Sequence, residues 1–492
     1  MMKKKYSLFL LLMSNITLGH VNYWDDIDQI NLTTMQQAQK LLDEKKYDQA
    51  LGWYKKELSK SPQSFEAHLA MGKIYEATGQ YIDALDSFTQ AMNYRPTDTT
   101  RVLHLGNCLL NLGNHFFNNH DTQNALKTFN TIFTISPDIA AVHHNIAFTL
   151  AEQTGDFDTA IEHYKKALAI NPDHTEAQFC FALSLLAAGD LIQGFKYYES
   201  RWKRNEHAPR SFQYPLEHQW DGQQSLEGKR IVINVEQGLG DTLQFIRYAQ
   251  LLKAQGATVI AETQKPLAQI LSLCPYLDEI VPVGKPLPQF DFQIPMINLP
   301  IAFKTTVQTI PANVPYLRAD PRLVVEWRQN LCADRNFKIG ICWRGDGAHG
   351  TSKFMPLNYF ARLAQMPGVS VYSLQKDDPL SSQKTTDQAH DTKIIQCNAD
   401  FDNQNGRFMD TAAMMKNLDL VITVDTSIAH LAGGLGVPTW LVTPFPAEWR
   451  WLTERTDSPW YPTMRLFRQK EHGNWDSVFF ELLEALSDKV VA

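Results

Sequence analysis

Between residues 31 and 208 apolar and small residues recur at helical spacing, and the pattern returns roughly every 34 residues. The clearest unit is "FEAHLAMGKIYEATGQYIDALDSFTQAMNYRPTD" at 65–98, with Gly72, Tyr75, Tyr81, Ala84, Phe88, Ala91 and Pro96 in the recurring places. The segment before it carries Ala38, Leu41, Tyr47, Ala50, Tyr54 and Pro62. A third unit has Gly106, Ala125, Phe129 and Pro137, lengthened by about seven residues around "NHFFNNH", and a fourth has Ala147, Leu150, Ala160, Tyr164, Ala167 and Pro172. A degenerate fifth keeps Ala182, Leu185, Gly189, Gly194 and Tyr198. Small residues let paired helices approach, aromatics fill the gap to the next pair, and proline ends the second helix.

The pattern changes beyond a linker at 209–228, where continuous apolar runs alternate with amphipathic stretches. "RIVINV", "ATVIAET", "KIGICW", "VSVYSLQ", "TKIIQC", "LVITVD" and "TWLVT" read as buried strands. "DTLQFIRYAQLLKAQG", "PLAQILSLC" and segments near 357–365, 408–416 and 427–434 read as helices. Alternation of this kind gives parallel sheets with right-handed crossovers. The chain therefore divides into an α-helical repeat array at 31–208, two Rossmann-like doubly wound α/β domains at 229–325 and 336–470, and a C-terminal helix within 471–492. In such sheets ligands bind beyond the C-terminal ends of the strands, so the loops after "NV", "CW", "LQ" and "TVD" are the ones to examine.

Composition narrows the class. With 44% hydrophobic and 20% charged residues and a formal net charge of −7, the chain lacks the basic excess of a nucleic-acid binder. The six cysteines show no C-x-x-C pair and no histidine at zinc spacing, which reads as buried thiols of a reducing compartment. The first 30 residues open with "MMKKKYSLFLLLM", which reads either as the charged start and short apolar run of a secretory signal or as a mis-assigned start ahead of Met13, and its apolar run is shorter than the ~20 residues of a membrane span. No A-x-A site follows, so the expected location is the cytoplasm, with no stable membrane span.

Candidate chemistry lies in three loops. In "NVEQGLGDTLQF" two readings of Asp241 stand: it caps its helix as a capping box with Gln244, or it is a general base at the edge of a cleft. Gln237, Gly238 and Gly240 form the phosphate or acceptor loop beside it, the glycines serving a tight turn or a close approach. In "LVITVDTSIAHLAGGLGVP" the helix after Asp425 offers free N–H groups, and the hydroxyls of Thr426 and Ser427 suit a diphosphate. The alternative is that Thr426 or Ser427 is a plain N-cap and His430 a packed core histidine. Arg344 and Lys353 in "CWRGDGAHGTSKFMPL" are cations on a glycine-rich loop, and Gln375 in "SLQK" ends a strand on the same side. "DFD" at 400–402 has no further ligands around it, and no metal or other cofactor is assigned. Trp449 and Trp451 either stack on a sugar or base or pack between domains.

The repeat signature is that of tetratricopeptide arrays, which present a groove to a peptide or partner protein; Asn107, Asn111 and Asn145 are candidate groove residues. Taken with "EQGLGDTLQFIRYAQLL", "GICWRGDGAHGTSKFMPL" and "DLVITVDTSIAHLAGGLGVPTWLVTPFPAEWRWL", the chain resembles bacterial tetratricopeptide-repeat proteins whose C-terminal half is similar to the ADP-heptose:lipopolysaccharide heptosyltransferases, glycosyltransferases of the GT-B fold. By that resemblance Asp241 matches the general base. Lys353 matches the lysine that meets the donor diphosphate, and Asp425, Thr426, Ser427 and His430 match the donor-binding "D-T-[GSA]-x-x-H" segment. The implied reaction is inverting and needs no metal. It moves a sugar from a nucleotide diphosphate to an acceptor hydroxyl, on a protein held by the repeats. The base on one domain should face the phosphate-holding helix on the other across a cleft. The sequence departs from the family at "GDGAHGTSKF", where "K-x-W-P" is the rule. Two rival readings are a scaffold with an inactive transferase domain and an envelope-saccharide transferase.

Overall fold

The computed structural model describes residues 32–94, 99–135, 139–204, 218–345, 354–375, 393–398 and 400–490. The described residues group into two bodies, the first reaching Thr154 and taking in Lys165–Pro172, the second comprising Gly155–Tyr164 and the chain from Asp173 onward.

The first body is built of helix pairs: α1 (Leu32–Asp43) with α2 (Tyr47–Lys60), α3 (Phe65–Ala77) with α4 (Tyr81–Tyr94), and α5 (Thr99–Asn118) with α6 (Thr122–Ile135). Next comes α7 (Ala140–Thr149), which runs into a π-helical turn at Leu150–Thr154, and then α8 (Phe157–Ile170), which the two bodies divide. The repeat signature is core: Ala38, Ala50, Tyr54 and Ala67 pack as one cluster, and Ala84, Phe88, Ala125 and Phe129 belong to the next. Gly72 is small because a Cβ there would lie 2.6 Å from the Phe88 ring. The third unit departs from expectation. Among the described residues nothing beyond its own helix backbone lies within 4 Å of where a Gly106 Cβ would be, and Gly113 instead meets Phe129 at 2.3 Å. The extra residues lengthen α5 to 20 residues, so the glycine that faces the aromatic sits two turns further along.

The second body holds the last repeat and both sheets. Helices α9 (Thr175–Ala188) and α10 (Leu191–Tyr198) continue into a 3₁₀ turn at Glu199–Lys203. The first sheet has β1 (Arg230–Asn234), β2 (Thr258–Thr263), β3 (Glu279–Pro282) and β4 (Phe292–Pro295), all parallel in the order β3-β2-β1-β4. The second has β5 (Phe337–Cys342), β6 (Val369–Ser373), β7 (Leu420–Val424), β8 (Thr439–Thr443) and β9 (Met464–Arg468), parallel in the order β6-β5-β7-β8-β9. Strand order reverses beside β1 and beside β5, and those are the places where an open parallel sheet forms its ligand crevice.

The helix expected over 241–256 starts earlier and is broken into α11 (Leu239–Phe245), a 3₁₀ turn at Ile246–Tyr248 and α12 (Ala249–Ala254). Farther along are α13 (Ala268–Leu271), α14 (Leu299–Ala302), α15 (Pro321–Leu331), α16 (Leu357–Leu363), α17 (Met409–Met415), α18 (Ser427–Gly434) and α19 (Trp475–Val490). The expected C-terminal helix is α19, which buries Val478, Phe479, Leu482 and Leu486 against the second sheet. The strand expected at "TKIIQC" is instead a single bridge between Ile395 and Tyr372. Ile394 is buried, but Lys393, Ile395 and Gln396 are exposed, so one side chain alone anchors this edge, and Thr392 lies outside the described residues. One core joins Leu186, Leu191 and Phe195 of the last repeat to Ile231 and Ile233 of β1 and to Leu431 and Leu441 of the second sheet's side.

Candidate functional site

The site is built where β1 and β7 end. After β1 the chain passes through buried Glu236, and Gln237 takes a positive φ of 53°. Gly238 is the N-cap of α11. Asp241 is not the N-cap that the capping-box reading required. It is the third residue of the helix, and its Oδ2 accepts the Gly238 N–H at 2.8 Å. The expected partner Gln244 is buried and turned elsewhere, its Oε1 accepting from Arg450 Nε at 2.7 Å. Asp241 Oδ1 pairs with Arg450 Nη2, so both carboxylate oxygens are engaged.

After β7, Asp425 is buried and Thr426 is the N-cap of α18, its hydroxyl oxygen accepting the Ile428 N–H at 3.2 Å. His430 is 4% exposed, lies parallel to Trp451 at 5.5 Å, and its Nδ1 is 2.8 Å from the Tyr461 hydroxyl. Burial pushes the Tyr461 phenol well above its ordinary range, so that hydroxyl stays protonated and able to donate to the imidazole. Behind it Arg247 is fully enclosed, its guanidinium over the Tyr316 and Tyr461 rings at 4.5 and 4.6 Å.

The first turns of α11 and α18 meet directly. A Cβ on Gly240 would stand 2.9 Å from His430 Cδ2 and 3.7 Å from Ser427 Cα, so glycine is needed there for close approach of one element to another. The expected facing of Asp241's loop and the Thr426–His430 turn is thus present, but as contact at Gly240 rather than across an open gap. Beside it Cys342 gathers other predicted residues. Its thiol donates to Gln375 Oε1 at 3.4 Å and to the Arg344 carbonyl at 3.5 Å, and lies 3.8 Å from Thr426 Oγ1. Arg344, Gln375 and Thr426 therefore share the C-terminal ends of β5, β6 and β7. Lys353 lies outside the described residues.

Several expectations are revised or decided. Asp402 of "DFD" caps α17: its Oδ1 accepts the N–H groups of Asp410 and Thr411 at 2.9 and 3.0 Å. Trp449 and Trp451 are buried, Trp449 edge-on to Phe195 at 5.6 Å and Trp451 on His430, so they pack and do not offer a face to a sugar. Not all cysteines are buried thiols: Cys332 is exposed, and Cys180 and Cys397 are partly so. Asn111 donates to Glu76 Oε1 at 2.6 Å, and Asn145 is buried, its amide 3.5 Å from Asn114 Oδ1.

Sequence reasoning missed two arginines. Arg450, on the connection after β8, is 8% exposed and binds Asp241, Glu448 and Gln244 while lying 4.2 Å over Trp449. Burial works against its charge, but Glu448, Asp241, Tyr198 and Asp425 together hold its pKa above the ordinary arginine value. Arg201, from the last repeat, pairs with Glu236 through Nε at 2.9 Å and Nη2 at 3.1 Å, and Nη2 also reaches Asn298 Oδ1 at 2.6 Å. Gln237 Nε2 donates to the Tyr198 hydroxyl at 3.0 Å, a second tie between that repeat and the glycine loop.

The molecule is thus a tetratricopeptide-repeat array followed by two parallel α/β domains in tandem, a layout consistent with GT-B. The tetratricopeptide repeat as a family matches residues 67–101 and 140–174. Protein FlbA of Caulobacter vibrioides is 26% identical over 444 residues, covering 82% of this chain and 70% of FlbA. The glycosyl transferase family 9 structure from Veillonella parvula is 16% identical and aligns 54% of this chain with 91% of its own at a TM-score of 0.38. The E. coli ADP-heptose lipopolysaccharide heptosyltransferase II is 13% identical, with 53% and 99% covered and a TM-score of 0.38.

Proposed function

We propose that this protein transfers a sugar from a nucleotide-diphosphate donor to an acceptor hydroxyl, with inversion, without a bound metal, and on a protein held by the repeat groove. The observation that carries the reading is the meeting of the Gly238–Asp241 loop with the N-terminal turn of α18, each at the strand end where its sheet forms a crevice. An anion on that turn is stabilised by free N–H groups and by the positive end of the helix dipole. Thr426 and Ser427 open that turn, the Cys342 thiol links Thr426 to Gln375 and to the Arg344 carbonyl, and His430 lies in the same helix packed on Trp451. In the proposed reaction the acceptor hydroxyl gives its proton to Asp241 as its oxygen bonds to the anomeric carbon. The bond from that carbon to the diphosphate breaks, and the electron pair leaves on the nucleoside diphosphate. The six cysteines, all free, suit a reducing compartment, and the cytoplasm is the proposed location.

The scaffold reading draws on one observation of its own: the Asp241 carboxylate is ion-paired with Arg450. A thermal-shift panel of nucleotide sugars on the full chain separates the two. The expected result is that one nucleotide raises Tm and that Thr426→Ala lowers its affinity about tenfold. With that donor, Asp241→Asn should retain binding and lose at least about 100-fold in turnover. A chain that no nucleotide stabilises, or an Asp241→Asn protein with full turnover, would be a scaffold or use another base.

A further inference from the structure

Both oxygens of Asp241 are engaged as found: Gly238 N–H holds one and Arg450 the other. A carboxylate neutralised by a guanidinium has to part from it before it can take a proton from an acceptor. Arg450 has three features that suit such a parting. Its Nη1 is held by Glu448 and its guanidinium face lies on the Trp449 ring, so it keeps an anchor when Nη2 lets go. It sits beside the donor turn, because the next residue, Trp451, stacks on His430 and the Asp241 loop touches Ser427. Among its electrostatic partners is Asp425, the residue that opens that turn.

We propose that Arg450 is a positioning residue shared between the base and the donor: a diphosphate at the first turn of α18 draws Nη2 away from Asp241 Oδ1 and opens that oxygen to the acceptor hydroxyl. This rests on the donor site proposed above and adds an order to it, donor before acceptor. A water or acceptor arriving first meets a carboxylate still held by Arg450. The diphosphate and Asp241 compete for one guanidinium, and that competition has a measurable sign.

The test is calorimetric titration of the full chain with inorganic pyrophosphate, in wild type, Asp241→Asn, Arg450→Gln and the double variant. Removing the competitor should tighten pyrophosphate binding about tenfold in Asp241→Asn, the worth of one charge-assisted contact. In the Arg450→Gln background the same change should tighten it no more than about twofold, as simple relief of charge repulsion. A merely structural ion pair would give no gain in affinity when Asp241 is neutralised, or an equal gain in both backgrounds, and either result overturns the proposal while leaving the donor site standing. Absence of pyrophosphate binding in both wild type and Asp241→Asn overturns the donor site as well. Arg450→Gln takes the guanidinium charge away from Glu448, so Arg450→Lys is the second background. A lysine is a point charge that cannot span Asp241, Gln244 and Glu448 at once, and the gain from Asp241→Asn should again fall well short of that in wild type.

Discussion

Two glycines, Gly106 and Gly240, predict opposite mutational signs. At Gly240 the missing Cβ is replaced by the buried His430 ring at 2.9 Å. Gly240→Ala should therefore force the two loops apart, at about 1–3 kcal/mol of stability, with weaker nucleotide binding in the same protein. At Gly106, inside α5, no described atom beyond the helix's own backbone lies within 4 Å of the added methyl, and Gly106→Ala should stabilise by about 0.5–1 kcal/mol. Thermal melts of the two variants decide this; a destabilised Gly106→Ala or a neutral Gly240→Ala would contradict the packing described. Asp278 gives a pH prediction. Partial burial raises its pKa, but Lys253 Nζ at 2.7 and 2.8 Å and the Val259 N–H at 2.8 Å outweigh burial and bring it below the usual carboxylate range. A depressed pKa means that the stabilisation is present above the unfolded value near ~3.9 and is lost as pH falls through the folded one. Asp278→Asn should cost about 1 kcal/mol at neutral pH, allowing for solvent screening, and the gap to wild type should close in acid. Urea titrations at pH 7 and pH 3 measure both. Asp241, Thr426 and Gly240 were legible from sequence because each stands beside a glycine turn or opens a helix. Arg450 was not, because its partners Asp241 and Gln244 lie 209 and 206 residues earlier in the chain.

A buried ion pair joins the shared core and the Gln237–Tyr198 hydrogen bond in tying the last repeat to the α/β half. Arg201 is 1% exposed and grips Glu236 with two nitrogens, while Glu236 Oε1 also accepts the Ile297 N–H at 2.9 Å. Removing one member leaves the other charged and dry. Arg201→Met should cost about 3–5 kcal/mol, and the double variant Arg201→Met/Glu236→Leu less than the sum of the two singles. A double-mutant cycle by chemical unfolding reads that coupling, and additive losses would mean that the pair contributes nothing beyond packing. Elements also explain what the pattern of apolar residues could and could not announce. β1 and β7 are continuous apolar runs buried on both faces, so they announce themselves. β3 and β4 are four residues long, each ending in proline, and exist because β2 and β1 offer them an edge. β9 reads "MRLFR", with Arg465 exposed in mid-strand, and is a strand through its register with β8. "TKIIQC" shows the converse, a β-rich string that gains only a bridge.

Division into two bodies has a thermodynamic consequence for the molecule as a whole. The first body draws its stability from stacked helix pairs, each covering the next. The second has a larger continuous core running through the last repeat and both sheets. Units with separate cores unfold separately unless something couples them, so calorimetry of the full chain should show two transitions, the second body's being the higher. A nucleotide sugar that binds only at α18 stabilises only the body that contains α18, by about 2.7 kcal/mol at one hundred times its Kd. The upper transition should then rise by a few degrees while the lower one stays in place. An acceptor protein seated in the groove of the repeats should move the lower transition, with or without nucleotide. If nucleotide moves both transitions together, the two bodies melt as one, and the separation of acceptor capture from chemistry fails with it.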